Sequence, residues 1–480
     1  MGAFTSLDIV VLLAYLLGVT IWGAWLGRRQ RGGTDYFLGN RDLPWGAVLL
    51  SVVATETSTL TFLSIPGVSY LGNLAFLQLT LGYLAGRVVV SVLFLPAYYS
   101  GDLNTAYALL EKRFGRAARR FTSGIFMVTR LLADSVRLFA TAIPLALITG
   151  WPYPLSITVI GVLTLVYTYF GGIRAVVWVD ALQIGLYLLG ALSAVFVLQR
   201  LIPGGWGEAL ARAGEAGKLT WLDLSVNPAV AYTFWAGVIG GGFLSMASHG
   251  TDQLIVQRLL TCRDLRASRK ALVGSGIAVV FQFALFLMVG VGLWAYYEGR
   301  AFAVSDEIFA TFIIEELPPG VTGLLIAAVF AAAMSTLSSS INSLAAASVY
   351  DFWVPLTGGR GDDVQVLRVG RVFTLIWAGL LIGAAVAYVP LAEGSAAVEV
   401  ALTIASLVYG SFLGAFLLGI LDPRARQGAV IVGMAAGIVV VTSIWVLASA
   451  RVGWPWFVPI GALVSITVGA SLSRRQEHAA

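Results

Sequence analysis

Two hydroxyl-rich stretches interrupt otherwise apolar runs. One reads Ala54-Thr55-Glu56-Thr57-Ser58-Thr59-Leu60-Thr61, the other Ala332-Ala333-Met334-Ser335-Thr336-Leu337-Ser338-Ser339. On a helix, side chains three and four apart share a face. Ala332, Ser335, Thr336 and Ser339 therefore form one ridge, and Ser335 with Ser338 and Ser339 another. Hydroxyls of this kind are the hard oxygen ligands an alkali cation prefers. The same small residues also let two helices approach closely. Charged groups inside apolar runs are expensive and call for a partner. Arg137 sits near the middle of residues 121–149, where a guanidinium grips a carboxylate with two parallel hydrogen bonds or pairs with Asp134. Arg130, nearer the cytoplasmic end, is expected to snorkel. Asp180, a turn or so inside its run, needs a basic loop residue or helix N-terminal amides unless it meets a cation. Glu56 either raises local cation affinity or braces the chain beside it by hydrogen bonds.

The rest of the composition says what surrounds these groups. Of 480 residues, 58% are apolar and 11% charged, against about 25% charged in soluble domains. Mean hydropathy is +0.87. That is too little polar surface to coat a soluble globule of this size, so the chain is an all-α membrane protein with the lipid bilayer as its surroundings. The apolar runs are long and unbroken, which excludes a β-barrel of alternating strands. The net charge of +5 is spread over short arginine clusters between runs, which is no nucleic-acid footprint. A single cysteine, Cys262, excludes an internal disulfide or cysteine metal cluster. Two histidines, His249 and His478, are too few for a haem or zinc centre. Scattered acidic residues argue against a membrane enzyme, and no obligate protein partner is evident.

About 20 apolar residues cross a bilayer. Thirteen runs qualify: 7–26, 44–69, 74–98, 121–149, 153–170, 175–200, 230–249, 271–296, 319–348, 369–389, 397–421, 428–448 and 454–472. Arg28, Arg29 and Arg31 follow the first run and no basic stretch precedes it, which predicts an uncleaved span with its N-terminus outside. Alternate loops then carry the positive charge: Lys112 to Arg120, Arg174, Arg258 to Lys270, Arg360 to Arg371, Arg424 and Arg426, and Arg474 and Arg475. This predicts a cytoplasmic C-terminus. The outer loop 297–318 is acidic, with Asp306, Glu307, Glu315 and Glu316; loop 201–229, with Arg212 and Lys218, is the exception. The second run contains the polar stretch 54–61. The seventh contains Gly240-Gly241-Gly242, then Ser245, Ser248 and His249, and a break is expected at the glycines. Helices broken at matching places in two halves point to a secondary transporter. The implied layout is residues 1–43, a five-helix repeat 44–200, an outer loop 201–229, an inverted five-helix repeat 230–421, and two added spans in 422–480.

The chain resembles the sodium:solute symporter family, which has the LeuT-type fold. The resemblance rests on Asp35-Tyr36-Phe37-Leu38-Gly39, Leu43-Pro44-Trp45, Pro66-Gly67, Gly171-Gly172-Ile173-Arg174-Ala175-Val176-Val177-Trp178-Val179-Asp180, Thr251-Asp252-Gln253, Val256-Gln257-Arg258 and the 332–339 stretch. It implies a plasma (inner) membrane symporter that couples a small solute to sodium entry. The resemblance places a first Na+ on the Ala54, Thr57 and Ala332 carbonyls with the Ser335 and Thr336 hydroxyls. A second Na+, as in some members, would lie among Asp180, Ser338 and Ser339, making one or two coupling ions. Arg137 resembles the arginine of carboxylate-transporting members, notably those for sialic acid. Ser58 and Thr61, one turn apart, would hold the solute's oxygens, with Gln78 and Ser245 as weaker candidates. Thr61 and Ser245 replace amides, and Ser248 replaces an aromatic gate, of sugar-transporting members. The expectation is an anionic solute such as sialic acid or another carboxylate. The alternatives are a neutral sugar or amino acid, or a proton-coupled carrier. His249 contacts the solute or fills a hydrogen-bonded packing role.

Overall fold

The computed structural model describes residues 4–28, 30, 32–101, 103–302, 305–358, 362–391 and 397–478. Arg29, Arg31 and Arg360, and the side chains of Asp306 and His478, lie outside the described residues. Among the described residues there are helices and turns but no β-strand; a lone bridge joins Leu43 and Cys262.

The helices that matter for the site are α1 (Ser6–Leu26), α2 (Trp45–Glu56), α3 (Thr59–Leu71), α4 (Leu77–Tyr99), α5 (Arg116–Thr149) and α6 (Tyr153–Leu201). They continue with α7 (Gly241–Gly250), α8 (Gln253–Leu259), α9 (Leu265–Tyr296), α10 (Val321–Ala347), α11 (Asp363–Tyr388), α12 (Ala397–Leu421), α13 (Gln427–Ala448) and α14 (Phe457–His478). The thirteen expected runs coincide with helix, but thirteen is not confirmed as a number of crossings. Among the described residues nine helices are long and apolar enough to cross, ten if the bent α2–α3 pair is one span. Three differences account for the gap. The α6 segment, 49 residues, would be about 74 Å long, over twice the hydrocarbon core. It contains Gly172 at φ 51°, ψ −153°, a conformation essentially reserved for glycine. Runs 153–170 and 175–200 lie on either side of that kink. In α5 the side chains of residues 144, 147 and 148 lie outside the described ones, which leaves too short a described apolar stretch beyond Arg130, Asp134 and Arg137 to be counted, and α7 is short.

The first break falls where residues 54–61 placed it. Helices α2 and α3 meet at 62°. Thr57 and Ser58 are extended, and the Ser58 hydroxyl caps α3 by accepting the Thr61 amide at 3.4 Å. Hydroxyl side chains compete with the helix for backbone groups, which is why the run parts here. The Tyr187 hydroxyl donates to the freed Thr57 carbonyl at 2.8 Å.

The second break is displaced from its expected position. Gly240 to Gly242 are helical: a π turn, Ala236–Gly240, runs directly into α7. The chain parts ten residues later, at Thr251 and Asp252, where the Asp252 carboxylate caps α8 by accepting the Leu254 amide at 2.9 Å. Tyr98 donates to the freed Gly250 carbonyl at 2.6 Å, the counterpart of Tyr187 at the first break. The glycines instead serve close packing. A Cβ at Gly240 would sit 2.5 Å from the Pro455 carbonyl oxygen and one at Gly241 2.8 Å from that of Leu79 on α4; on the facing helix, one at Gly82 would sit 2.1 Å from the Gly237 carbonyl oxygen. Gly82→Ala is expected to push α4 off the π turn, costing about 1–3 kcal/mol by overpacking. The measurement is the melting temperature of the detergent-purified protein, which should fall by several degrees.

Helix α10 is the centre of the bundle. Its apolar window is 89% buried, against 28% for α1, α11 and α13. The peripheral helices present apolar side chains such as Val10, Ile21, Val372 and Val439 outward, a surface suited to hydrocarbon. Asp8 ties the outer layer to the centre. It forms a capping box with Thr5 and accepts the Gly320 and Gly323 amides at the start of α10, each at 2.7 Å. The exceptional outer-loop cation also has a local reason. Lys218 donates to the Tyr70 carbonyl at the end of α3, 2.6 Å away, and lies over the Trp294 ring. Burial lowers its amine from the ordinary lysine value.

Candidate functional site

Helix α10 carries its hydroxyl ridge through the buried core, so every hydroxyl there needs a partner. Ser335 donates to Asp180 at 2.7 Å, Thr336 to the Ala332 carbonyl at 3.2 Å, and Ser338 to the Ser335 carbonyl at 3.0 Å. Ser339 also donates to the Ser335 carbonyl. A hydroxyl that gives away its proton keeps its lone pairs, so Ser335 and Thr336 retain capacity to bind a cation. On the facing side, Ala54 lies in the last turn of α2, where carbonyls lack helical donors. The Thr59 hydroxyl, donating to the Val329 carbonyl at 3.0 Å, holds the break against α10. The Thr57 hydroxyl bridges the Val53 carbonyl at 2.8 Å and the Gln282 amide at 2.7 Å.

Asp180 is fully buried, and its cation is Arg258, 3.1 Å away. Arg258, expected among the loop charges, is 1% exposed on α8. It also donates to Ser51 at 2.8 Å, to the Leu254 carbonyl at 2.6 Å, and to Ser339. Ser51 donates to Asp180 at 2.6 Å. Of the three residues expected around a second ion, Asp180 meets Ser335 rather than Ser338, and reaches Ser339 only through Arg258.

Ser58 and Arg137 come together with Thr336. All three line one small cavity, with Thr59, Asp134 and Thr141 among its walls. Its volume is about 10 Å³, the space of one water-sized body. Arg137 is ion-paired with Asp134 at 3.1 Å, one of the two arrangements its position allowed. Thr61 lies 3.4 Å from Ser58, hydroxyl to hydroxyl. Gln78 and Ser245 are buried elsewhere and fully engaged. The Gln78 side chain bonds the Ala75 and Tyr232 carbonyls and the Asp223 amide, and Ser245 donates to the Tyr83 carbonyl at 2.9 Å.

Arg130 does not snorkel. It is 6% exposed and pairs with Asp252 at the second break, with Tyr409 at 2.6 Å and Asp134 at 3.6 Å. Asp252 lies too close for the side chain to stretch toward water. The result is a chain of alternating charge, Asp252, Arg130, Asp134 and Arg137, running along α5 from the second break to the cavity.

Glu56 pairs with Arg87, which also donates to Ser275 at 3.0 Å. His249 Nε2 lies 3.8 Å from Glu56, and its Nδ1 sits 2.8 Å from the Ser248 hydroxyl. Arg87 was missed by sequence reasoning, although a mid-run arginine is as costly as Arg137. Tyr409, Gln282 and Ser51 carried no comparable signal. Among the described residues, no group of three or more histidine, cysteine or acidic side chains could hold a metal.

Comparison with known proteins agrees with this architecture. The chain is 30% identical over 480 residues to the sodium/sialic acid symporter NanT of Aliivibrio fischeri, covering 97% of this chain and 93% of that one. It is also 30% identical to the human sodium/iodide cotransporter, over 92% of this chain and 70% of the relative. A Na+-coupled sialic acid symporter in a substrate-bound outward-open state superposes with a TM-score of 0.88 at 26% identity, covering 98% of both chains. The profile of the Sodium:solute symporter family matches residues 36–437. With that match across most of its length, the chain belongs to the sodium:solute symporter family, and it is a multi-pass sodium-coupled secondary transporter of LeuT-type fold rather than an enzyme.

Proposed function

We propose that the protein carries a small carboxylate of the sialic-acid type into the cell together with one or two sodium ions, by alternating access. The observation that supports this reading is the meeting of Arg137, Ser58 and Thr336 in one cavity. A guanidinium for the solute's carboxylate, a hydroxyl at the first break and a hydroxyl of the α10 ridge share one space. Sialic acid is the cargo of NanT, at 30% identity, and of the structural neighbour at 26% identity. In this reading the first Na+ bridges the Ala54, Thr57 and Ala332 carbonyls and the Ser335 and Thr336 hydroxyls. It holds the break against α10 and completes the solute site; inward opening loosens that contact. A second Na+ at Asp180, Ser338 and Ser339 would have to share the carboxylate with Arg258. The repeats are taken as 44–200 and 230–421, with the N-terminus outside and the C-terminus in the cytoplasm.

The test is uptake by proteoliposomes under an inward sodium gradient. Sialic acid is expected to accumulate and to compete with other small carboxylates. Arg137→Ala should weaken it by at least about tenfold, the loss of a charge-assisted pair, while sodium binding changes far less. The Arg137–Asp134 pair favours a second reading, a neutral sugar or amino acid, because the guanidinium already has a counter-ion. Sodium-driven uptake of such a solute, indifferent to Arg137→Ala, would establish that reading instead.

A further inference from the structure

Arg137 and the α10 ridge raise an electrostatic conflict. Arg137 and Thr336 line the same cavity, so a sodium ion on Thr336 would face a guanidinium across a short, poorly hydrated gap. Like charges so placed repel strongly. Asp134 stands where it can cancel that repulsion. It is 2% exposed. Its Oδ1 accepts Arg137 Nη1 at 3.1 Å and lies 3.6 Å from Arg130 Nη1. Its Oδ2 accepts the Ser340 hydroxyl, and Ser340 is one helical turn beyond Thr336 on α10. The carboxylate is thus docked on the ridge itself, between the cavity arginine and the inner arginine. Arg130 has Asp252 as its own counter-ion, which leaves the charge of Asp134 for Arg137. Among the described residues, Arg137 Nε and Nη2 meet no acceptor, so one edge of the guanidinium stays available.

We propose that Asp134 is the built-in counter-ion that lets sodium bind before an anionic solute arrives. With Asp134 ionised, the Arg137–Asp134 pair is neutral and the hydroxyl ridge receives a cation without opposition. The solute carboxylate then takes the open Nε/Nη2 edge of Arg137 while Asp134 keeps Nη1. Asp134 is a positioning residue: it touches neither ion nor solute in this scheme. The inference rests on the sodium and carboxylate assignments above.

The test is sodium binding without solute, followed by tryptophan fluorescence of the purified full-length protein, with choline replacing sodium at constant ionic strength. Asp134→Asn keeps an oxygen for Arg137 and Ser340 and removes only the charge. It should weaken half-saturation by sodium about tenfold, equivalent to about 1.4 kcal/mol. The double variant Asp134→Asn with Arg137→Gln removes both charges and should return half-saturation to within about twofold of wild type, a recovery that a merely structural defect would not give. An unchanged sodium curve in Asp134→Asn overturns the proposal. So does a double variant as weak as the single one. Adding saturating sialic acid to Asp134→Asn should restore sodium affinity, because the carboxylate supplies the missing negative charge. If sialic acid binds neither protein, the assignment of the solute fails, while the solute-free sodium curves still decide the role of Asp134.

Discussion

Replacing Ser335 and Thr336 together by alanine is expected to abolish sodium-stimulated uptake while leaving a folded protein. The two hydroxyls have small structural duties. Ser335 gives one hydrogen bond to Asp180, which keeps Ser51 and Arg258, and Thr336 gives one to a carbonyl of its own helix. Losing such bonds costs on the order of 1 kcal/mol each, a fraction of a domain's usual stability. For an alkali ion the loss is of another order. Two of the five proposed oxygens disappear, and the cavity beside Thr336 has room for only about one water-sized body, too little solvent to replace both. Uptake should drop to its sodium-independent level, at least about a hundredfold below wild type, roughly 2.7 kcal/mol. Sodium-gradient uptake and a melting curve are measured on the same preparation. Unaltered sodium dependence in a well-folded double variant would sink the site.

The number of ions has an energetic consequence. Each charge crossing 100 mV is worth about 2.3 kcal/mol. One sodium entering with a monovalent carboxylate carries no net charge, so only the sodium concentration gradient drives uptake. Two sodium ions leave one net charge, and the membrane potential then contributes. Dependence of uptake on an imposed potential therefore reads the stoichiometry directly. Asp180 is where that question meets the structure, since its counter-charge is already supplied by Arg258.

Much of the fold was legible because it rests on strong, local signals. Long apolar runs marked the helices, and the hydroxyl cluster at 54–61 marked the first break, since Thr and Ser compete for backbone bonds wherever they crowd together. The glycines at 240–242 misled for a physical reason. Glycine breaks a helix in isolation, but here its missing Cβ lets α4 and α7 touch backbone to backbone. The true break uses Asp252 as a cap, a quieter signal. Charge pairing was the least legible layer. Arg258 and Asp180 lie 78 positions apart, and Arg130 and Asp252 lie 122 apart; no periodicity connects them. Arg137 and Asp134, one turn apart on one helix, were within reach of sequence reasoning, and Arg87 was marked by its cost alone. Thirteen apolar runs could be counted, but only Gly172 shows how two of them share one 49-residue helical segment.

Asp180→Ala is expected to be the most destabilising single change near the site, worse than Arg258→Met. Both residues are within 1% of complete burial, and breaking such a pair costs about 3–5 kcal/mol because it strands a charge. The two losses are unequal because the stranded groups differ. A carboxyl left behind can take up a proton and become neutral; a guanidinium cannot shed one. After Asp180→Ala, Arg258 keeps Ser51, Ser339 and the Leu254 carbonyl, all uncharged acceptors. After Arg258→Met, the carboxyl keeps the Ser51 and Ser335 hydroxyls. The double variant Asp180→Ala with Arg258→Met strands nothing and should be more stable than Asp180→Ala alone. Melting temperatures of the three purified variants give the order, and equal losses for the two single changes would contradict the argument. Uptake adds a second reading. Arg258 anchors α8, whose first cap is Asp252, and Asp252 in turn holds the arginine chain that ends at Arg137. The short helix α8 is thus ionically tied to the α10 hydroxyl ridge at one end and, through the α5 charge chain, to the Arg137 cavity at the other. A double variant that melts near wild type and still binds one sodium ion at the proposed first site, yet no longer couples it to uptake, is the result expected of this arrangement.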